Sequence, residues 1–425
     1  MRVNLLKMHR YIIVFIVLLF VSCKEEEQKK SHKQVLQTYE LPVPVDTKTK
    51  AIELQTRQTF KVDDVYASNE FKGARLNGFK KQNDSLLAKI TPEITPINNS
   101  PWYAFKIWSD QDKTQDVFLK YEHGTHRYAP KISTDFKSWS ALDTTKVTVI
   151  DSVTVKLQLD LKKVPTFVAA QPVQNSDMIN AWMKAKAELP NANMVKIGES
   201  TGGEPINRLE IGNNPNNPTI CIIGRQHPPE VTGWFAQKAF VDFLLGGYDL
   251  NDLFLKEFNV IVYPLLNPDG VNEGHWRTGL GGVDLNRDWA FYYQKETKQI
   301  AESIVEYANT YQSQIVLGID FHSTYYDVFY ENHDPSFDLI IPNFKTEWID
   351  AIKKSMPYEK FKVSEIEMGK PISMDWFSRQ FGAAGVTYEI GDDTTRENIK
   401  LKAQNAGIAM MELLMKWKRM PKQEK

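Results

Sequence analysis

The chain has 425 residues, 42% apolar and 25% charged, which is room for two domains with ordinary cores and too well mixed for wholesale disorder. Its net charge of -1 gives no broad positive field, and no stripe of Lys and Arg compensates, which argues against nucleic acid as a partner. Two cysteines leave no room for a disulfide framework.

Arg2, Lys7 and Arg10 precede the run YIIVFIVLLFV at 11–21, which has the basic start and short apolar middle of a secretory signal. The run ends in FVSC. Residues 1–22 are therefore expected to be a lipoprotein-type signal peptide, with Cys23 lipidated and anchoring an exported bacterial lipoprotein in a membrane, periplasmic or surface-exposed. KEEEQKKSHKQ follows, charged and without apolar periodicity, so residues 23–58 are expected to form a flexible tether. Cys221, alone in an apolar strand, is expected to be a small buried residue.

Residues 59–165 alternate with period two. WYAFKIW (102–108), DVFLKYE (116–122) and VTVKLQLDL (153–161) put apolar side chains on alternate positions, with turn-forming clusters between them. This predicts an antiparallel β-sandwich domain. His123 and His126 lie in a loop between strands and are expected to be ordinary polar loop residues.

After the linker-like stretch PTFVAAQPVQNSD the period changes. Ser176 is placed to cap a helix running to about Leu189, and residues 172–420 then alternate strands with helices. INRLEIG, TICIIG, FNVIVYPLL, IVLGIDFH and VTYEIG read as strands; helices are expected near 230–246, 295–311, 340–355 and 396–418. Apolar strands covered by helices on both faces predict an α/β domain with a mixed, mostly parallel central sheet. In such sheets chemistry gathers at strand ends.

GRQHPPE (224–230) ends one strand with His227, two prolines and Glu230 in the first turn of the next helix; IDFHST ends another with His322. Two imidazoles and one carboxylate suit a catalytic zinc that keeps a fourth position for water. Between these segments lies NPDGVNEGHWRTGLGGVDLNRDW, and after them GVTYEIGDD. Arg277, Asn286, Arg287 and Glu389 thus fall in a fixed order around the ligands.

With HPPE, NPDG, WRTG, DLNRDW, DFHST and TYEIGD in the second half, and SPWYAFKIW and HRYAPKISTDFKSW in the first, the chain closely resembles the zinc metallocarboxypeptidase family. Within it the likeness is to the cytosolic carboxypeptidase-like and bacterial branch, which carries a β-sandwich before the catalytic domain. The resemblance implies one zinc ion on His227, Glu230 and His322, Glu389 as general base, and Arg277 as the group polarising the scissile carbonyl. It also implies that Asn286 and Arg287 grip the terminal carboxylate. A guanidinium fork suits a planar carboxylate, so the expected substrate is a peptide with a free C-terminus.

Two departures bear on specificity. Where pancreatic-type members have a mobile tyrosine, seven residues before the pocket position, this chain has Glu367. The pocket position itself is Met374 in SMDW, which favours a neutral or apolar terminal residue unless Arg379 or Lys370 supplies a counter-charge. Two other readings stand beside the carboxypeptidase: an amidohydrolase of cell-wall peptide stems or N-acyl amino acids, and a non-catalytic binding lipoprotein.

Overall fold

The computed structural model describes residues 33–332, 338–366 and 369–421. The expected signal segment, Cys23 and Glu367 lie outside the described residues. Among the described residues no helix is long and apolar enough to cross a membrane.

The period-two region forms two sheets. β1 (Thr59–Val62), β2 (Val65–Ser68), β5 (Ala104–Ser109), β11 (Thr166–Ala169), β7 (Lys131–Ser133) and β8 (Ser140–Ala141) lie side by side in that order. The other sheet runs β3 (Gly78–Gln82), β4 (Ser85–Ile90), β6 (Lys113–Tyr121), β10 (Thr154–Leu161), β9 (Val147–Asp151). Strand β10 shows why: Val155, Leu157, Leu159 and Leu161 are buried while Gln158 and Asp160 face out. The expectation of a wholly antiparallel sandwich needs one correction. β4 and β6 pair in parallel, Leu86 opposite Val117, because the chain crosses through β5 of the other sheet between them.

The second half of the chain holds α1 (Ser176–Ala187), α2 (Val231–Leu244), α3 (Asp249–Glu257), α4 (Pro268–Glu273), α5 (Lys295–Thr310), α6 (Phe344–Ser355), α7 (Ser373–Phe381) and α8 (Arg396–Arg419). Asn175, not Ser176, caps α1: its side chain accepts the Met178 N–H at 3.1 Å. Helices α3, α4 and α7 are too short for apolar periodicity to reveal them.

Among the described residues the central sheet has eight strands. Their order is β12 (Ala192–Glu199), β13 (Pro205–Ile211), β15 (Asn259–Tyr263), β14 (Thr219–Gly224), β16 (Ile315–Thr324), β19 (Ala384–Gly391), β17 (Val328–Glu331), β18 (Lys362–Glu365). β15, β14, β16 and β19 run parallel to one another; the pairings β12–β13, β13–β15 and β17–β19 are antiparallel. Strand β14 is buried at every residue and β16 at all but its last, as a sheet covered on both faces requires. Phe240, Trp348, Met410 and Leu414 fill one face; Ile300, Ile304, Trp376 and Phe377 fill the other.

From Val35 onward the chain is one compact unit, and Val231 and Trp276 complete the sandwich core. The ion pair Arg127–Asp392, 2.8 Å long and 7% exposed at each side chain, joins the two halves. Residues 35–58, expected to be part of a flexible tether, are bound instead, along the second half of the chain as far as Lys50 and against the sandwich from Glu53 on. Gln37 N–H donates to Gln380 Oε1 (2.9 Å), Tyr39 O–H to Lys370 O (2.9 Å), and Lys50 N–H to Gly281 O (2.8 Å). Hydrogen bonds hold this segment without the apolar pattern that a sequence reading looks for.

Candidate metal centre

Because β14, β16 and β19 are parallel neighbours, their C-terminal ends share one edge. His227 lies three residues past β14, in an elbow where Arg225 takes a left-handed φ of 54° and two prolines block an early helix. The helix starts later than expected, so Glu230 is the residue preceding α2 rather than part of its first turn. On β16, His322 stands directly opposite Glu389 of β19.

The three expected ligands converge and are buried. His227 Nδ1 is 2.8 Å from Glu230 Oε1, His322 Nδ1 is 2.7 Å from Glu230 Oε2, and the two Nδ1 atoms are 3.2 Å apart. A tetrahedron with arms of about 2.0 Å has edges of about 3.3 Å, so the nitrogens already stand at the spacing a small dication needs. The group could hold a metal ion.

The opposite ring nitrogens also have partners. His227 Nε2 is 2.8 Å from Asp284 Oδ1, and His322 Nε2 is 2.8 Å from Asp320 Oδ2. A carboxylate behind each histidine fixes its tautomer and leaves Nδ1 as the ligand. Asp320 is itself held by Gln226 Nε2 (2.5 Å) and the Ser373 hydroxyl. Burial alone would lower the pKa of His322, but Asp320 and Glu230 outweigh it and push the group well above its ordinary value. The pocket thus favours positive charge at this imidazole, from a proton or a metal. Sequence reasoning passed over both aspartates. For Asp320 a signal existed, since residues two apart on a strand share a face.

Arg277 and Arg287 divide the remaining edge. Arg277 is tied by Nε to Asp284 Oδ2 at 2.8 Å and lies 3.7 Å from Glu230. Burial would raise the Asp284 carboxyl, but Arg277 and His227 hold it well below the usual carboxylate range. Arg287 is 43% exposed at its side chain and 4.0 Å from Asp284, so its guanidinium faces outward. Asn286 accepts the Ser373 N–H at 2.9 Å through Oδ1, which sets α7 beside the arginines. Met374, the next residue, is fully buried. Glu389 is only partly buried, yet burial first and the Glu230 charge second push it up to about 7. It is poised to exchange a proton near neutrality.

Residues 179–406, more than half of the chain, match the family described as zinc carboxypeptidase. The chain belongs to the zinc carboxypeptidase family. An uncharacterized protein of Zymomonas mobilis is 24% identical over 212 residues, 48% of this chain and 54% of that protein. Human cytosolic carboxypeptidase 6 is 30% identical over 139 residues, 30% of this chain and 27% of that one. The chain thus spans about half the length, or less, of these curated relatives. A metallo-carboxypeptidase structure from Burkholderia cenocepacia shares the fold with a TM-score of 0.70 at 18% identity, covering 83% of this chain and 99% of that one. One from Pseudomonas aeruginosa gives 0.67 at 15% identity, covering 82% and 99%.

Of the two residues named for specificity, Arg379 is engaged elsewhere, its guanidinium 4.7 Å from the centre of the Tyr39 ring. Lys370 is exposed, and its main chain binds the Tyr39 hydroxyl and Asp375. The histidines of the sandwich loop, His123 and His126, lie outside the metal cluster. His126 pairs instead with the Tyr121 hydroxyl at 3.1 Å.

Proposed function

We propose that this zinc carboxypeptidase family member removes the C-terminal residue of peptides, with one zinc ion on His227, Glu230 and His322. The observation that carries the reading is the pairing of His322 with Glu389 across adjacent strands, with the two arginines on the same edge. Zinc held there would supply a Lewis acid and acidify a water toward neutral pH. Glu389 is the group placed to take a proton from the attacking water and to hand it to the leaving amine. Arg277, its guanidinium fixed by Asp284, meets the charge that develops on the carbonyl oxygen. The outward guanidinium of Arg287, with Asn286 beside it, takes the terminal carboxylate as a planar fork. An endopeptidase would have no use for that fork, and a non-catalytic binder no use for Glu389.

The test pairs metal analysis with two peptides differing only at the C-terminus. The purified protein should carry one zinc per chain and cleave the free acid far faster than the amide. Equal cleavage of both would replace exo-action by endopeptidase or amidase action. From the FVSC motif alone we further propose that the chain is an exported lipoprotein anchored through Cys23. Fatty-acid labelling should mark the wild type and not Cys23→Ser.

A further inference from the structure

Glu93 lies on the sandwich, just past β4, and is fully buried. A buried carboxylate is costly unless donors surround it. One oxygen of Glu93 accepts the N–H groups of Arg277 (3.0 Å) and Thr278 (2.8 Å) and the Thr278 hydroxyl (3.0 Å). The other accepts the Trp276 N–H at 2.7 Å. Arg75, buried in the sandwich, adds a compensating charge. Successive main-chain N–H groups that converge on one anion fix a loop's path as well as its position. The loop fixed here carries Arg277.

The surroundings point the same way. Trp276 is buried in the sandwich core and donates its indole N–H to Trp102 O at 3.1 Å. A Cβ on Gly124 would come within 2.5 Å of the Trp276 ring, so sandwich and loop close only around a glycine. Residues 276–278 belong to the loop between α4 and the 3₁₀ turn Leu285–Arg287, outside the central sheet. The side chain of Arg277 leaves the sandwich to reach Asp284 and Glu230. The central sheet places the metal ligands; the sandwich places this arginine.

We propose that Glu93 is a positioning residue of the hydrolytic site: its carboxylate fixes the main chain at Arg277 and so aims the guanidinium at the oxygen where charge develops. The inference rests on the carboxypeptidase reading above and gives the sandwich a part in turnover as well as in stability.

A double-mutant cycle on the full chain tests it, using Glu93→Gln, Arg277→Ala and the double variant. The readouts are kcat and KM on a free-acid peptide, together with bound zinc. Glu93→Gln should lower kcat by about ten- to a hundredfold, the scale of a reacting group misplaced by about 1 Å, with KM and zinc content unchanged. In the Arg277→Ala background the same change should have no further effect on kcat. Losses that multiply in the double variant, or an unchanged kcat in Glu93→Gln, would overturn the proposal alone. If Glu93→Gln does not fold, Thr278→Val removes one donor and should still lower kcat at constant KM; an unchanged kcat there overturns it as well. A zinc-loaded wild type that cleaves no free-acid peptide overturns the carboxypeptidase reading and this inference together.

Discussion

Gly233, in the first turn of α2, is where that helix meets the metal-binding strand, and adding one methyl group there should loosen the metal site. A Cβ at this position would lie 2.6 Å from the His322 carbonyl carbon and 3.1 Å from its Cα, and nearer still to the carbonyl oxygen. Ordinary contacts to carbon begin near 3.5 Å, so the overlap is about 1 Å. Strand β16 cannot yield, being hydrogen-bonded to β14 and β19 on its two sides. The helix must retreat instead, taking with it Glu230, whose Oε2 stands 2.7 Å from His322 Nδ1. Alanine gains about 1 kcal/mol of helix propensity over glycine, while overpacking a core costs about 1 to 3 kcal/mol, so the net loss of stability should be small. Metal ligands tolerate only about 0.2 Å, so the zinc affinity should fall by at least about tenfold. Competition with a chromophoric chelator measures it, alongside thermal unfolding. Gly407→Ala is the control, because its Cβ would meet side chains and no backbone, the Phe243 ring at 3.1 Å and Phe240 at 3.7 Å, and a side chain can give way. If Gly233→Ala binds zinc as tightly as the wild type, the packing of α2 on β16 does not set the ligand spacing.

Asp320→Asn should weaken zinc binding by about ten- to a hundredfold, the usual effect of removing a carboxylate behind a ligating histidine, and an unchanged affinity would deny Asp320 that role. Glu389 is held toward its protonated form by burial and the Glu230 charge, and only the ionised carboxylate can act as base. The value of kcat/KM should therefore rise with pH along an acid limb centred at or below about 7. Glu389→Gln should keep the metal, lose most turnover and leave a residual rate without that limb; a persisting limb would assign it to another group. With Met374 buried and Arg379 stacked on Tyr39, peptides ending in Leu or Phe should be cleaved better than those ending in Glu or Lys. Burying an unpaired terminal charge would cost several kcal/mol, so a strong preference for Glu that Lys370→Ala or Arg379→Ala abolishes would refute the neutral pocket.

The clustered residues His227, Glu230 and His322, and Glu389 on the neighbouring strand, could be picked out of the sequence because they stand at or shortly after the ends of apolar strands, and both strand period and motif are local properties of the chain. The same locality makes the sandwich and the helix-covered sheet readable from a change of period near residue 170. What lies between distant segments was not readable. The sequence names His322 and Glu389, but only the adjacency of β16 and β19 sets them opposite each other. Asp284 looks like any surface aspartate until packing turns it onto the ring nitrogen of His227, and for Asp320 the sequence shows only a shared strand face with His322, not the contact. Residues 35–58 show no apolar pattern, yet they are bound by hydrogen bonds whose partners lie hundreds of residues away. Glu93 is the extreme case: an acid among prolines and threonines gives no sign of its task. Its role depends on burial and on the direction of three main-chain N–H groups, and neither exists before the two halves of the chain have packed together.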